Sequence, residues 1–200
     1  TNICVYSCSF CAFSKSTGAK KLRGASYLLE LEEIQNRVRE AIRRGATEVC
    51  LQGGIHPKFD GNYYLDVIKA IRKVSPDIHI HAFSPLEIFQ GAQTLNLTLE
   101  EYLPILKEAG LNSLPGTAAE ILHDDVRDII CPDKLNTAEW LSVMDAAHSC
   151  GLNSTATIMF GHVETYDHIA EHLINIKNQQ IKSGGFTEFV PLPFVAHEAP

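Results

Sequence analysis

Short β-branched runs alternate along this chain with amphipathic helical stretches. This restricts the fold most, because successive strands separated by helices must pair in parallel through right-handed crossovers. One stretch sets Leu31, Ile34, Val38, Ala41 and Ile42 on one face and Glu32, Glu33, Arg37, Arg39 and Arg43 elsewhere, the 3.6-residue period of a helix lying on a sheet. Gly45 ends it. Val49 to Leu51 reads as a strand that stops at Gln52-Gly53-Gly54, followed by a helix from Tyr63 to Val74 and a strand from Ile78 to Ala82. Thr98 with Glu101, and Asn136 with Glu139, form capping boxes that open two more helices. A short strand near Asn112 to Leu114 lies between them, and Thr155 to Phe160 follows the second. A helix carrying Ile169, Leu173 and Ile176 precedes the last strand, Phe186 to Val190. Another strand is expected at Thr1-Asn2-Ile3, running straight into a cysteine loop.

A doubly wound open sheet and a barrel both satisfy this order. No Gly-x-Gly-x-x-Gly follows a strand, which counts against a dinucleotide fold. A complete eightfold barrel takes ~250 residues, so a chain of 200 residues is expected to be α/β, a partial (βα) barrel. Residues 1–200 read as one domain, a piece of a longer protein truncated at both ends, since the chain starts without methionine and stops just after a strand-like segment. With 45% hydrophobic and 20% charged residues, it has the profile of a globular domain with a real core. Lys plus Arg number 17 against 24 Asp plus Glu, a net charge of −7, which leaves no basic field for nucleic acid or an anionic membrane. No apolar run approaches the ~20 residues of a membrane helix. A small-molecule partner and a reducing, cytoplasmic setting fit that balance and the unpaired thiols.

Cys4, Cys8 and Cys11 stand in the spacing C-x3-C-x2-C, with Phe10 beside the last and no fourth cysteine close by. Three thiolates can hold three irons of a cubane and leave the fourth open to a small molecule. A structural zinc site is the competing reading, but zinc usually pairs one short Cys-x2-Cys with another, and Cys50, Cys131 and Cys150 each stand alone. Cys50 and Cys150 read as small buried residues. Cys131, in the loop Ile130-Cys131-Pro132-Asp133-Lys134, stays unassigned.

In a parallel barrel the residues just past the strand C-termini share one mouth. Those positions hold Gly53 and Gly54; His81, Phe83 and Ser84; Pro115-Gly116-Thr117 with Glu120; Met159, Gly161, His162 and Glu164; and Pro191-Leu192-Pro193-Phe194. Gly53-Gly54 is either a plain turn or a place where a ligand approaches bare backbone. Glu120 and Glu164 either cap helices or hold a ribose or ammonium group. His56, His81 and His162 fall in loops or strand ends and are candidates for hydrogen bonding or proton transfer, whereas the helical His148 and His172 are set aside.

The cysteine spacing ahead of βα units, Gly53-Gly54 after a strand and Gly161-x-x-Glu164 after another make the chain resemble the radical S-adenosylmethionine enzymes along essentially its whole length. Leu51-Gln52-Gly53-Gly54-Ile55-His56-Pro57, His81-Ala82-Phe83-Ser84-Pro85-Leu86-Glu87, Pro115-Gly116-Thr117-Ala118-Ala119-Glu120 and Phe186 to Phe194 are similar to the tyrosine-using branch of the deazaflavin (FO) synthases. Aminofutalosine synthases of menaquinone biosynthesis are close kin, but Gln52 and the Gly116 to Glu120 run favour the deazaflavin branch.

The resemblance implies a 4Fe-4S cluster on Cys4, Cys8 and Cys11. It implies S-adenosylmethionine held by Phe10, Gly53, Gly54, Glu120, Met159, Gly161 and Glu164. The implied reaction breaks the side chain of L-tyrosine away and joins its p-hydroxybenzyl group to 5-amino-6-(D-ribitylamino)uracil. The implied partners are an electron donor such as ferredoxin or flavodoxin and a second FO synthase subunit or fused domain. A carbon radical must be shielded from water and held close to one bond. Phe13, Phe83, Phe160 and Phe194 are therefore candidate walls, or ordinary core, and His56, Ser84, Glu87 and His162 are candidates for gripping the substrates. The competing readings are an aminofutalosine synthase and a non-catalytic electron-transfer or zinc-binding module.

Overall fold

The computed structural model describes residues 1–15 and 24–199. Five strands, β1 (Glu48–Leu51), β2 (His79–Ala82), β3 (Ser113–Leu114), β4 (Asn153–Phe160) and β5 (Phe186–Pro193), form one sheet in sequence order with every neighbouring pair parallel. A doubly wound sheet reverses its strand order at a switch point. This sheet does not, so it has the partial-barrel order.

The helices α1 (Leu31–Arg43), α2 (Gly61–Val74), α3 (Pro85–Thr94), α4 (Leu99–Ala109), α5 (Asp124–Ile130), α6 (Thr137–Ser149) and α7 (Tyr166–Ser183) follow the strands. Both expected capping boxes form: the Thr98 and Asn136 side chains accept the N–H of Glu101 and Glu139, whose carboxylates reach back to the cap N–H groups. Gly45 ends α1 with a φ of +89°. Only Ile34 and Val38 of the α1 stripe are buried, while Leu31 and Ile42 stay partly exposed. The main core joins Ile80, Ala82 and Leu114 to Ile68, Ile71, Tyr102, Leu103 and Leu106 of the helix layer, with Val49 and Leu51 packed against it.

Strand residues alternate between faces, so Glu48, Cys50, His79, His81 and Ser113 turn to the opposite, concave face. That is why Cys50 is exposed and not buried as the sequence suggested. Cys150 is half-buried at the end of α6, its thiol donating to the Ala147 carbonyl at 3.2 Å. His172 is a buried core histidine on α7; it accepts the Leu122 N–H at 2.9 Å, and burial pushes its pKa down to about 4.

Thr1 to Ile3 do not form a strand. They run beside the residues after β1 through scattered bonds, from Gly54 N–H to the Thr1 carbonyl (3.0 Å) and from Val5 N–H to the Ile55 carbonyl (2.9 Å), without a regular ladder. Two helices escaped the periodicity reading. α5 has seven residues, too few to display a period. α3 carried a legible signal in Ser84-Pro85-Leu86-Glu87, a capping box with proline in the first turn. β5 continues past Val190 to Pro193, and proline is tolerated there because only β4 pairs with that strand. No helix among the described residues is long and apolar enough to cross a membrane.

Candidate active site

Cys4, Cys8 and Cys11 lie on a loop with no helix or strand of its own, fixed by bonds to distant backbone. Ser9 N–H donates to the Ile130 carbonyl at 3.0 Å and Lys15 N–H to that of Asn2 at 2.8 Å. Two sulfurs accept backbone N–H groups, Cys4 Sγ from Ile55 and Cys11 Sγ from Ser14, each at 3.3 Å. Cys8 is buried, and burial pushes its thiol up to about 12. A buried thiolate needs a strong cationic partner, which a metal supplies. The donor set therefore fits an iron–sulfur cluster. Among the described residues no three His, Cys, Asp or Glu side chains converge on one point. In a cubane each thiolate takes its own iron, so the ligands stand apart.

The glycine turn after β1 sits directly against this loop. A Cβ on Gly54 would stand 2.4 Å from the Ile3 carbonyl oxygen and 2.9 Å from Cys4 Cβ. Gly54 is thus more than a plain turn residue: the cysteine loop can approach only because no side chain is there. Gly53 has ordinary room, its nearest contact being the Thr1 oxygen at 3.4 Å. Its N–H donates to Glu87 Oε1 at 3.1 Å, while Glu87 Oε2 accepts from Ser84 N–H (2.8 Å) and Ser84 Oγ (2.7 Å). Ser84 and Glu87 are the capping box of α3, and they also tie that helix to the glycine turn. Burial raises the Glu87 pKa to about 7 against these hydrogen bonds.

Glu120 lies in a loop whose backbone is left-handed at Ala118 (φ 62°) and Glu120 (φ 44°). Two residues that sequence reasoning missed hold it there. Lys134 Nζ donates to Glu120 Oε1 at 2.6 Å, with both side chains largely buried, and lies 5.3 Å from the centre of the Phe10 ring. Burial opposes the charge on Lys134, yet Glu120, Cys8 and Cys131 together raise its pKa above the usual lysine range. Arg127, itself buried, donates to the carbonyls of Ala118, Ala119, Ile121 and Leu135. Lys134 was present in a string already singled out for Cys131. Nothing local marks Arg127, because its acceptors are main-chain atoms.

One cavity of about 450 Å³ is lined by Cys4, Cys8, Phe10, Cys11, Gly53, Gly54, Ser84, Glu87, Glu120 and Lys134, with Tyr6, Phe13 and Thr117. His56, Met159, Gly161, His162 and Glu164 do not line it. The His56 ring leans on Phe59, centroids 4.6 Å apart, and accepts the Lys58 N–H. The His162 ring packs on Phe194 at 4.2 Å, with Nε2 3.5 Å from Ser9 Oγ, so it touches the back of the cysteine loop. Glu164 closes its own turn, accepting from Gly161 and His162 N–H; burial works against its charge, but those bonds hold its carboxyl below the usual range. Met159 is buried, and its N–H donates to the Glu120 carbonyl at 2.9 Å. Of the aromatic candidates, Phe83 is core, stacked edge-on to Tyr64, while Phe13 is exposed.

A parallel sheet in barrel order that sets a three-cysteine loop against a glycine turn at the strand ends defines a barrel enzyme built around an iron–sulfur cluster. The family model of the radical SAM superfamily matches residues 1–174, and the chain belongs to that superfamily. More narrowly, it is 52% identical over 200 residues to the 5-amino-6-(D-ribitylamino)uracil--L-tyrosine 4-hydroxyphenyl transferase of Methanothermobacter thermautotrophicus, covering 100% of this chain and 53% of that protein. It is 50% identical over 203 residues to the protein of the same name from Methanocaldococcus jannaschii, covering 100% of this chain and 55% of that one. The chain thus spans about half the length of these relatives. The crystal structure of methylornithine synthase superposes with a TM-score of 0.73 at 14% identity, over 97% of this chain and 51% of that one. That of Streptococcus suis SuiB bound to S-adenosylmethionine gives 0.65 at 14%, over 98% and 39%. At such identity these two structures speak for the fold alone.

Proposed function

We propose that this chain is the catalytic barrel segment of a 5-amino-6-(D-ribitylamino)uracil–L-tyrosine 4-hydroxyphenyl transferase, acting in deazaflavin (FO) coenzyme synthesis. The observation that carries the reading is one cavity that gathers the cysteine triad, the glycine turn, Glu87 and the Glu120–Lys134 pair, in a chain about half identical along its full length to proteins of that name. Cys4, Cys8 and Cys11 would hold a 4Fe-4S cluster, which would supply the electron that splits S-adenosylmethionine into methionine and a carbon radical. The protein's own residues hold and shield.

Gly53 and Gly54 leave bare backbone for the ammonium end of the cosubstrate, and Glu87, behind the turn, keeps the Gly53 N–H in place. Glu120 and Lys134 offer one negative and one positive group side by side, suited to a ribose hydroxyl and a carboxylate. The Phe10 ring faces the Lys134 ammonium. Met159, Gly161 and Glu164 lie outside this cavity and would meet only the adenine end of the cosubstrate, with Glu164 fixing the turn at Gly161. Ser84 and Glu87 line the cavity and grip tyrosine or the uracil, whereas His56 and His162 act from outside it. A ferredoxin or flavodoxin delivers electrons, a second FO synthase subunit or fused domain completes the pathway step, and the enzyme works in the cytoplasm.

The test is anaerobic incubation of the reconstituted full-length enzyme with reductant, S-adenosylmethionine, tyrosine and the diaminouracil, followed by mass spectrometry. Deoxyadenosine with a hydroxybenzylated uracil is expected. Aminofutalosine formed in a parallel incubation supplied with an enolpyruvyl ether in place of tyrosine and the diaminouracil would reassign the enzyme to the sibling reaction, and absence of deoxyadenosine in both would remove the enzymatic reading.

A further inference from the structure

The concave face of the sheet carries a linked set of polar side chains that the cavity at the strand ends does not use. His79 Nε2 and His81 Nδ1 both lie 2.7 Å from Ser113 Oγ, and Glu48 Oε2 stands 3.7 Å from His79 Nε2. Strand register builds the set. Glu48 pairs with His79, His81 pairs with Ser113, and residues two apart on β2 share a face. His81 lies three residues before Ser84, a lining residue of the cavity. With its register partner Ser113, it therefore lies nearer the strand C-termini than Glu48 and His79.

A hydroxyl owns one proton. Ser113 can donate that proton to one imidazole while it accepts from the other, and in that arrangement the protonation of the two rings is tied together. When His79 holds protons on both ring nitrogens, Ser113 accepts from His79 Nε2 and donates to His81 Nδ1, leaving the His81 proton on Nε2. When that proton departs, His81 Nδ1 takes the Ser113 proton and Ser113 takes the proton of His79 Nε2. Both rings end neutral with His81 Nε2 a free acceptor, and the reverse sequence restores the start. No electron moves and no bond to carbon changes. The titratable groups facing the set are Glu48 and Cys50 from β1 and Glu188 from β5, while β4 carries no titratable residue along its length. Burial lowers the His81 pKa, with Glu48 and Glu188 pulling the other way, so its resting form is neutral, as the cycle requires.

We propose that Glu48, His79, Ser113 and His81 form a proton relay on the concave face, with His81 exchanging a proton with an N–H or O–H group of a polar substrate held at the strand ends. This rests on the transferase reading, in which a nitrogen-rich, polyhydroxylated substrate enters the barrel. His81 is the group that meets substrate; Ser113, His79 and Glu48 act through it.

The experiment uses reconstituted full-length enzyme with Ser113→Ala, Ser113→Thr and His79→Gln, reading the ratio of coupled product to deoxyadenosine and, by nitrogen NMR of labelled histidines in the oxidised holoenzyme, the titration of both rings. The ratio is expected to fall roughly 100-fold for Ser113→Ala and His79→Gln, and to recover for Ser113→Thr, which keeps the hydroxyl. The two rings are expected to titrate as a coupled pair in the wild type and independently in Ser113→Ala. A ratio within twofold of wild type in both disabling variants, or independent titration in the wild type, overturns the relay. Coupled titration in a wild-type enzyme that forms no hydroxybenzylated uracil upholds the linkage of the two rings and rejects the transferase reading, and with it the substrate assigned to His81.

Discussion

Gly54 and Gly53 are adjacent and chemically identical, yet the chain treats them differently. Adding a methyl group to Gly54 drives it into the Ile3 carbonyl at 2.4 Å, a backbone atom of the loop that carries Cys4, whereas Gly53 meets only ordinary contacts. Gly54→Ala is expected to cost about 1–3 kcal/mol by overpacking and to lower the iron and sulfide bound on reconstitution. Gly53→Ala should bind nearly the wild-type amount; urea unfolding and iron analysis separate the two. Glu87 makes a second residue-scale prediction. Its pKa rises from 4.5 to about 7 on folding, so the native state holds the proton more tightly than the unfolded chain. Stability from this group is fully present below the unfolded value and declines as pH rises through the folded one. The stability of wild type relative to Glu87→Gln should therefore fall between pH 4.5 and about 7 and level off above. A flat difference across urea titrations in that window would show that Glu87 ionises normally.

At the scale of elements, α5 matters less for its own length than for what Arg127 does from it. A guanidinium spread over the carbonyls of Ala118, Ala119, Ile121 and Leu135 pins two left-handed residues and, through Leu135, the neighbour of Lys134. Replacing Arg127 by Met fills the volume but leaves buried carbonyls unpaired, at about 1–3 kcal/mol. Amide exchange across residues 118–121 should quicken by roughly tenfold to a hundredfold. Unchanged protection would mean that the loop holds itself. Helix starts were read from the cap signals at Thr98 and Asn136, whereas the capping box of α3 at Ser84 and Glu87 went unread. α5 stayed hidden because seven residues make under two full turns of periodicity, and the Thr1 strand failed because its neighbour offers it no regular ladder.

For the molecule as a whole, the cysteine loop has no helix or strand of its own and one of its thiols is buried at a cost. Binding a cluster removes that cost and adds contacts that only the folded state makes. Reconstitution should raise the melting temperature by about 5–10 °C, from ~3 kcal/mol spread over a chain of this size. Chelation under reductant should reverse the gain, and Cys8→Ala should show none. The alternation of elements, the parallel pairing it demands, the helix caps and the cysteine spacing were fixed by the sequence alone, because each is settled within a few neighbouring residues. Which strand-end residues share a cavity, the Lys134 grip on Glu120, the Arg127 brace and the His79–Ser113–His81 chain were decided only by the tertiary structure. The last joins residues 34 and 32 positions apart, and such contacts depend on strand register and on main-chain oxygens aimed by loop geometry, which no local pattern of side chains encodes.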